Sequence, residues 1–410
     1  MSEKDKQILR ELAKHFAGLC ATPEMEEKRQ RWYDQNELKP GKPLVHLSPE
    51  GCWPELVGQG DLLCEDSTAR TMEMQLRMSI CRIEFIADDS AIEPEYKVWF
   101  PFGFTDYGFE IQQTHGENRG SFVWEAPIKD LDADFHKLKY METIIGYEER
   151  AQLTEAAHDV FDGILGVVNR PGIGAWSVGR THDAIRLMGM AEFFMAMYEN
   201  PDGVHKLMRL ITDSYHRFLD FMEESGEFMM NVTDGFVGSG GLAYTRKLPQ
   251  PDWKQGMNLR TVDMWGFAES QETVGVSPKM FHEFIFPYQM ELLKRFRMNC
   301  YGCCEPVHER LDDIMTIPNL VRVSVSPWCN EELAAEAFKG KVIFSRKPNP
   351  TMIATGFFEH DIREDLRHTL KVAKGCNLEI IMKDTHTVQN CPDRVREWVR
   401  IAKEEVDKVY

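Results

Sequence analysis

Apolar residues in the first 36 positions recur at helical spacing, as in "EKDKQILRELAKHFAGLC", and the pattern breaks at Pro23. This spacing predicts two helices in succession. "PLVHLSP" (43–49) reads as a short buried strand. From about 80 to 130, "CRIEFIADDSAIEPEYKVWFPFGFTDYGFEIQQ" and its continuation are aromatic and β-branched with polar breaks, a β-like pattern. From about 140 onward the rhythm becomes regular. "GILGVVNRPGIGAWSVG" reads as a strand entering a Gly-rich loop, followed by helices over 181–199 and 202–225. "FMMNVTDGFVGSGGLAY" and "TVDMWGFAESQETVG" each read as strand then loop, and "PKMFHEFIFPYQMELLKRFR" as a helix. Strands over 299–304, 320–326, 341–346 and 378–384 then alternate with helices over 307–316, 330–338, 360–374 and 392–408.

Strands alternating with helices of this length predict parallel βαβ units, hence an α/β fold. There are enough units for a (β/α)8 TIM barrel over 136–410, with an N-terminal α+β elaboration over 1–135. An open doubly wound sheet is the competitor. The only Gly-rich run of interest, "GSGGLAY", has the wrong spacing for a dinucleotide fingerprint.

The 410 residues carry 43% apolar and 28% charged positions, the balance of a globular chain with a large core. The net charge of −18 argues against nucleic acid as a partner, since phosphate binding needs concentrated Lys and Arg. It also disfavours anionic membrane surfaces. No stretch approaches ~18 uninterrupted apolar residues, so no membrane span is expected. "MSEKDKQILRELAKHF" lacks the apolar core of a signal peptide, which points to a cytoplasmic protein. The ten cysteines are therefore expected as free thiols.

In a barrel the chemistry sits where strands give way to loops at their C-terminal ends. "NCYGCCEPVHERLDD" (299–313) lies at such a point. Tyr301, Cys303 and Glu305 alternate, so an extended backbone would aim them the same way. A thiolate and a carboxylate there could serve one zinc ion, whose catalytic sites keep a position open. Cys304 is expected to pack, and the plainer alternative makes all three cysteines small buried hydrophobes. At the last strand end, Asp384 and His386 could reach the same mouth. The alternative pairs Lys383 with Asp384 and lets His386 cap a helix. Glu269, Gln271 and Glu272, and separately Asp234, end other strands and could bind substrate hydroxyls, act as acid or base, or simply cap loops. Arg346 and Lys347 would add positive charge at the mouth. The run "RLMGMAEFFMAM" has the spacing of core packing.

From about 170 to 408 the chain resembles the uroporphyrinogen decarboxylase superfamily of (β/α)8 barrels. The residues that carry this are "GIGAWSVGRTHDAIRLMGMAEFFMAMYENPDGVHKLMRLITD", "VGVSPKMFHEFIFPYQMELLKRF", the cysteine of "YGCCEP" and "TVQNCPDRVREWV". The resemblance implies one of two chemistries. Metal-free decarboxylation is marked by an Arg-rich motif near "MRQAGRY", which this chain lacks. Zinc-dependent methyl transfer uses a His-x-Cys pair and a last-strand Cys. Here the pair reads Tyr301-Gly302-Cys303, and Asp384, Thr385 and His386 occupy the last-strand place. The longer form with "YGCCEP" and "KDTHT" looks like subunits that take a methyl group from a small methylated substrate, such as a methoxylated aromatic, to a corrinoid protein. The metal-free decarboxylase is the alternative.

On that resemblance Cys303, Glu305 and His386 are the expected zinc ligands, and Tyr301, Asp384 and Glu269 the catalytic groups. Asp234, Gln271, Arg346 and Lys347 are expected to bind substrate. The cobalamin would be carried by the partner protein, since this chain has no Asp-x-His-x-x-Gly motif. Docking would be transient, and 100–113 is a candidate rim that meets substrate or corrinoid; it reads equally as core of the N-terminal part. The oligomeric state is left open, a homodimer included.

Overall fold

The computed structural model describes residues 1–115, 122–171, 177–179 and 181–410. Eight parallel strands appear in chain order: β1 (Leu44–Leu47), β2 (Glu95–Phe100), β3 (Gly166–Pro171), β4 (Trp265–Ala268), β5 (Met298–Tyr301), β6 (Leu320–Val325), β7 (Ile343–Arg346) and β8 (Asn377–Met382). Six of them form one sheet in the order β1-β8-β7-β6-β5-β4. β2 and β3 form a separate parallel pair, and a single parallel bridge, Ser177 to Phe267, links the stretch after β3 to β4. The Gly-rich loop expected after β3 falls mainly at 172–176, outside the described residues. The architecture is therefore α/β with a central parallel sheet of six strands. Among the described residues no ladder joins β1 to β2.

That edge of β1 is covered in another way. The Asp89 carboxylate accepts from the Val45 amide (2.8 Å), the Asp88 carboxylate from the Leu47 amide (2.9 Å), and the Asp89 amide donates to the Val45 carbonyl. Two side chains take the place of a neighbouring strand and satisfy donors that burial would otherwise strand. β1 itself pairs with β8 from Leu44–Glu379 to Leu47–Met382. The first 135 residues thus supply a strand to the sheet completed by the last 40. A division at 135 runs between strands of one sheet.

The N-terminal helices form as their signals predict. Ser2 and Asp5 make a capping box for Glu3–Cys20, and Thr22 caps Pro23–Asn36 with Pro23 at its first position. Three other expectations are corrected. The helix read over 278–297 is two, Pro278–Phe284 and Phe286–Leu293, because Pro287 has no N–H to give and crowds the preceding turn. "CRIEFI" is not β: it continues the helix Ser67–Cys81 through a π-turn, Arg82–Ile86. Leu76, Ile80 and Ile83 there share a helical face packed on the N-terminal helix. The stretch 228–234 forms no ladder strand. The Asn231 side chain instead bonds both the amide (3.1 Å) and the carbonyl (3.2 Å) of Trp265, doing at one residue what a strand does along a row.

Strand alternation sorts the sheet into two faces. Val45, Leu47, Ala268, Tyr301, Val323, Phe344 and Ile380 join the large core beneath the helices. Trp265, Phe267, Met298, Cys300 and Ile343 face the other way and pack with Val237 and Ala243. This second face is also polar. Register sets Cys300 beside Arg322, Ser324 beside Ser345, and Ser345 beside Glu379. A short hairpin, Phe236–Val237 with Gly241–Leu242, lies against it. A Cβ at Gly238 would stand 2.7 Å from Cys300 Cβ, and one at Gly241 would stand 2.4 Å from Arg322 Cζ. The "GSGG" run is glycine-rich because the backbone must approach the sheet this closely. Gly241→Ala is expected to destabilise the protein by about 1–3 kcal/mol through overpacking against a fixed guanidinium. Urea denaturation would show it as a lower midpoint at unchanged slope.

No helix among the described residues is long and apolar enough to cross a membrane. All ten cysteines are unpaired. Within the rim segment, Phe100, Phe102 and Tyr107 are buried in the main core, and Phe102–Phe104 pairs with Thr143–Ile145. Pro101, Gly108, Glu110 and Gln112 of the same segment are exposed, so it is core on one side and surface on the other.

Candidate functional site

Immediately after β5 the chain turns sharply. Gly302 has φ +85°, a conformation open to glycine, and its amide donates to the Ala268 carbonyl at 3.0 Å. This turn breaks the alternation on which a common direction for Tyr301, Cys303 and Glu305 depended. Tyr301 stays on the helix-facing side, where its hydroxyl donates to Gln289 Oε1 (2.9 Å) and meets Ser270 Oγ (3.1 Å). Burial pushes its pKa well above the ordinary phenol value. Cys303 packs against the opposite face, with Val237 and Cys300. Glu305 is buried, and each of its oxygens accepts from a backbone amide, Ser270 at 2.9 Å and Cys303 at 2.8 Å. It clamps the ends of β4 and β5 together, and burial raises its pKa.

Cys303 is the centre of the strand-end cluster. Its sulfur lies 3.7 Å from Cys304 Sγ, 3.7 Å from Lys383 Nζ and 3.5 Å from Ser239 Oγ. A thiol donated by Cys304, the Lys383 ammonium and the Ser239 hydroxyl all favour its thiolate, and together they lower its pKa to about 6 against the effect of burial. Cys304 is pushed the other way, because it donates to Cys303 and lies in the same buried pocket; its sulfur also reaches Asp384 Oδ2 at 3.7 Å. Burial opposes the Lys383 charge, but the Cys303 thiolate and the Asp384 carboxylate outweigh it and hold the lysine protonated. The expected outcome is that a small alkylating agent reacts with Cys303 along a titration centred near pH 6. Lys383→Met and Cys304→Ala should each move that midpoint upward and slow alkylation at pH 7 by roughly tenfold or more. Mass-mapped alkylation rates against pH would check it, and a wild-type midpoint near 9 would contradict the geometry.

Glu269 ends β4. It is buried, and its carboxylate accepts from the Gln271 amide at 2.8 Å. Burial, then the nearby charges of Glu272 and Glu305, push its pKa well above the carboxylate range. Glu272 moves the opposite way despite burial, because Thr181 Oγ1 donates to it at 2.7 Å and His182 lies 3.6 Å away. The pKa values of two carboxyl groups three residues apart are thus pushed in opposite directions, the arrangement that suits an acid beside a charged neighbour.

No protein-family model matches this sequence, and no curated protein does. Solved structures do match. One, described as a methyltransferase from Methanosarcina mazei, superposes with a TM-score of 0.52 over 92% of this chain and 98% of that chain, at 12% identity. The likeness is one of fold. It extends over nearly the whole of both chains, so the N-terminal third belongs to the shared architecture.

The remaining candidates divide. Asp384 stands beside the cluster in a left-handed conformation, φ +58°, with its carboxylate 3.6 Å from Lys383. That turn carries the chain away, so His386 is exposed on a loop packed against Gly51. Arg346 points to the helix side and pairs with Glu331 and Asp365, both at 2.8 Å, so it serves packing and not the mouth. Lys347 faces the polar side, buried, with Nζ 2.5 Å from Ser345 Oγ, and burial lowers its pKa to about 7. Gln271 contacts Glu272 at 3.4 Å. Asp234 lies elsewhere, bound to Lys97 (2.7 Å) and to the Glu93 amide (3.1 Å).

Among the described residues no three His, Cys, Asp or Glu side chains gather so as to hold a metal ion. Glu305 is occupied by amides, Cys303 faces an ammonium, and His386 is on the surface. As arranged, Cys303, Glu305 and His386 do not make the open three-ligand site of a catalytic zinc. Sequence reasoning missed Ser239 and underrated Lys383. Nothing local marks Ser239, whereas Lys383 carried a signal as a cation at the end of an apolar strand.

Proposed function

We propose that this chain is a methyltransferase on a (β/α)8-type winding, taking a methyl group from a small methylated substrate to a corrinoid carried by a partner protein. The order of the eight parallel strands along the chain and the fold shared with a protein described as a methyltransferase support this reading. The observation that carries it is Glu269, a buried carboxylic acid at a strand end close to the Cys303 cluster. A methyl ether or amine is a poor methyl donor because its leaving group is a strong base. A corrinoid held by the partner would supply the nucleophile. The chain's own task is then to neutralise the leaving heteroatom as its bond to carbon breaks. Glu269 gives that heteroatom its proton, and water must restore it after each turnover. A zinc would neutralise the heteroatom as a Lewis acid, but the donor set described above does not fit one.

Incubation with free cobalt(I) cobalamin and a panel of methoxyarenes and methylamines tests the reading, with transfer followed by absorbance. Transfer from at least one donor is expected; none across the panel would overturn it. Metal-free decarboxylation is the second reading. The donor set that does not fit a zinc favours it, and carbon dioxide release would distinguish it.

A further inference from the structure

A second feature lies on the other side of the 236–242 hairpin. While Ser239 touches Cys303, Phe236, three residues earlier, lines a cavity of about 400 Å³. Trp53, Trp99, Phe236, Met78, Met229 and Met264 supply a flat, polarisable apolar lining. The volume lies in the range of small-molecule sites.

Two buried polar atoms on this cavity's wall have no partner: His46 Nε2 and Asp234 Oδ1. His46 is 1% exposed and Asp234 8%. The other polar atoms of these two side chains are held. His46 Nδ1 stands 3.0 Å from the Asp88 carboxylate and 2.9 Å from Ser90 Oγ, and the other Asp234 oxygen holds Lys97 and the Glu93 amide. Facing a carboxylate, Nδ1 carries a proton, which leaves Nε2 as the ring atom open to a ligand. Asp234 Oδ1 is an acceptor. Buried polar atoms left unpaired beside an apolar cavity are costly unless a ligand or water pairs with them. The cations of the wall are already matched by acids: Arg82 with Asp88 (3.4 Å), Lys97 with Asp234 (2.7 Å) and Arg170 with Glu95 (3.6 Å). The site therefore asks for no net charge.

We infer that this cavity binds a neutral aromatic molecule carrying O–H or N–H donors, the ring against Trp53, Trp99 and Phe236, one donor on Asp234 Oδ1 and a second polar group beside His46 Nε2. The site stands on its geometry whether or not methyl transfer is the reaction.

Calorimetry with four probes tests it. Catechol has the ring and the donors, phenol has one donor, 1,2-dimethoxybenzene has the ring alone, and cyclohexane-1,2-diol has donors without a flat ring. Catechol is expected to bind the wild-type protein about tenfold or more tighter than 1,2-dimethoxybenzene, the difference left by unpaired buried acceptors. Phenol should fall between them, and the diol should bind more weakly than catechol. Asp234→Asn keeps its oxygen on Lys97 and the Glu93 amide and turns an NH2 toward the cavity. It should therefore reverse the preference, weakening catechol and strengthening 1,2-dimethoxybenzene. Trp99→Ala, at a half-exposed position, should weaken both aromatic probes alike. No saturable binding of catechol up to millimolar concentration would overturn the inference. So would catechol and dimethoxybenzene binding equally, or catechol binding that Trp99→Ala leaves unchanged. If Asp234→Asn fails to fold, the probe series and Trp99→Ala decide it.

Discussion

Glu269→Gln is expected to slow methyl transfer from an O-methyl donor by about 10²–10⁴-fold, the usual contribution of a positioned general acid. The amide keeps the size of the carboxyl and its contact with the Gln271 amide, so substrate affinity and fold should change little. The pH profile gives the sharper test. Burial, then the charges of Glu272 and Glu305, push the Glu269 pKa well above the carboxylate range. Its acid form is lost as pH rises through the raised folded-state pKa, so the wild-type rate should fall on the alkaline limb and that limb should vanish in the variant. Linkage gives a second sign. A carboxyl whose folded pKa is raised contributes stability at low pH and loses it as pH rises through that value. Glu269→Gln should therefore make the protein more stable than wild type at alkaline pH. The donor matters as well. A quaternary methylammonium leaves as a neutral amine and needs no proton, so its rate should be far less sensitive to the substitution. Equal losses with both kinds of donor would sink the acid role.

Glu379→Ala should be the most destabilising single change on the polar face of the sheet. Arg322, 1% exposed, donates to both carboxylate oxygens of Glu379 at 2.7 and 3.1 Å, and to Asn36 Oδ1 at 2.6 Å. Ser345 donates to the same carboxylate at 2.5 Å. Removing the acid leaves a guanidinium buried without a counter-charge, at a cost of about 3–5 kcal/mol. The pair's value lies in not being broken, so Arg322→Met with Glu379→Met should recover much of the loss. Burial acts to raise the Glu379 pKa, but Arg322 outweighs it and holds the carboxyl below its ordinary value. The stability it contributes is present above the unfolded carboxylate pKa and is lost as pH falls through the folded one. Denaturant titrations of the two variants near neutral and acid pH would check both signs. A loss under about 1 kcal/mol in Glu379→Ala would mean that water reaches Arg322.

Local pattern alone placed most of the second half of the chain. β5 to β8 lie within about three residues of where apolar runs between helices put them, because each is short, buried on both faces and bounded by turn residues. Strand ends follow from strand positions, which is why Cys303, Glu269 and Asp384 were singled out at all. Direction was another matter. Two residues with positive φ, Gly302 and Asp384, turn the backbone just beyond β5 and β8. After such a turn the two-residue period no longer says which way a side chain points. Tyr301 and Cys303 therefore part to opposite faces, and His386 ends on the surface.

What the sequence determined by itself was the alternation of elements, the break between the first two helices at Pro23, the acidic charge and the places where chemistry could sit. Tertiary structure decided the rest, for reasons no local window contains. β1 pairs with β8 across more than 300 residues, so the N-terminal segment is part of the sheet. Asn231 replaces a strand because Trp265 lies beside it. Ser239 reaches Cys303 because glycines let its hairpin press onto the sheet. Propensity and period are properties of neighbours along the chain. Partners, charge states and faces are set by neighbours in space, and those exist only once the chain has closed on itself.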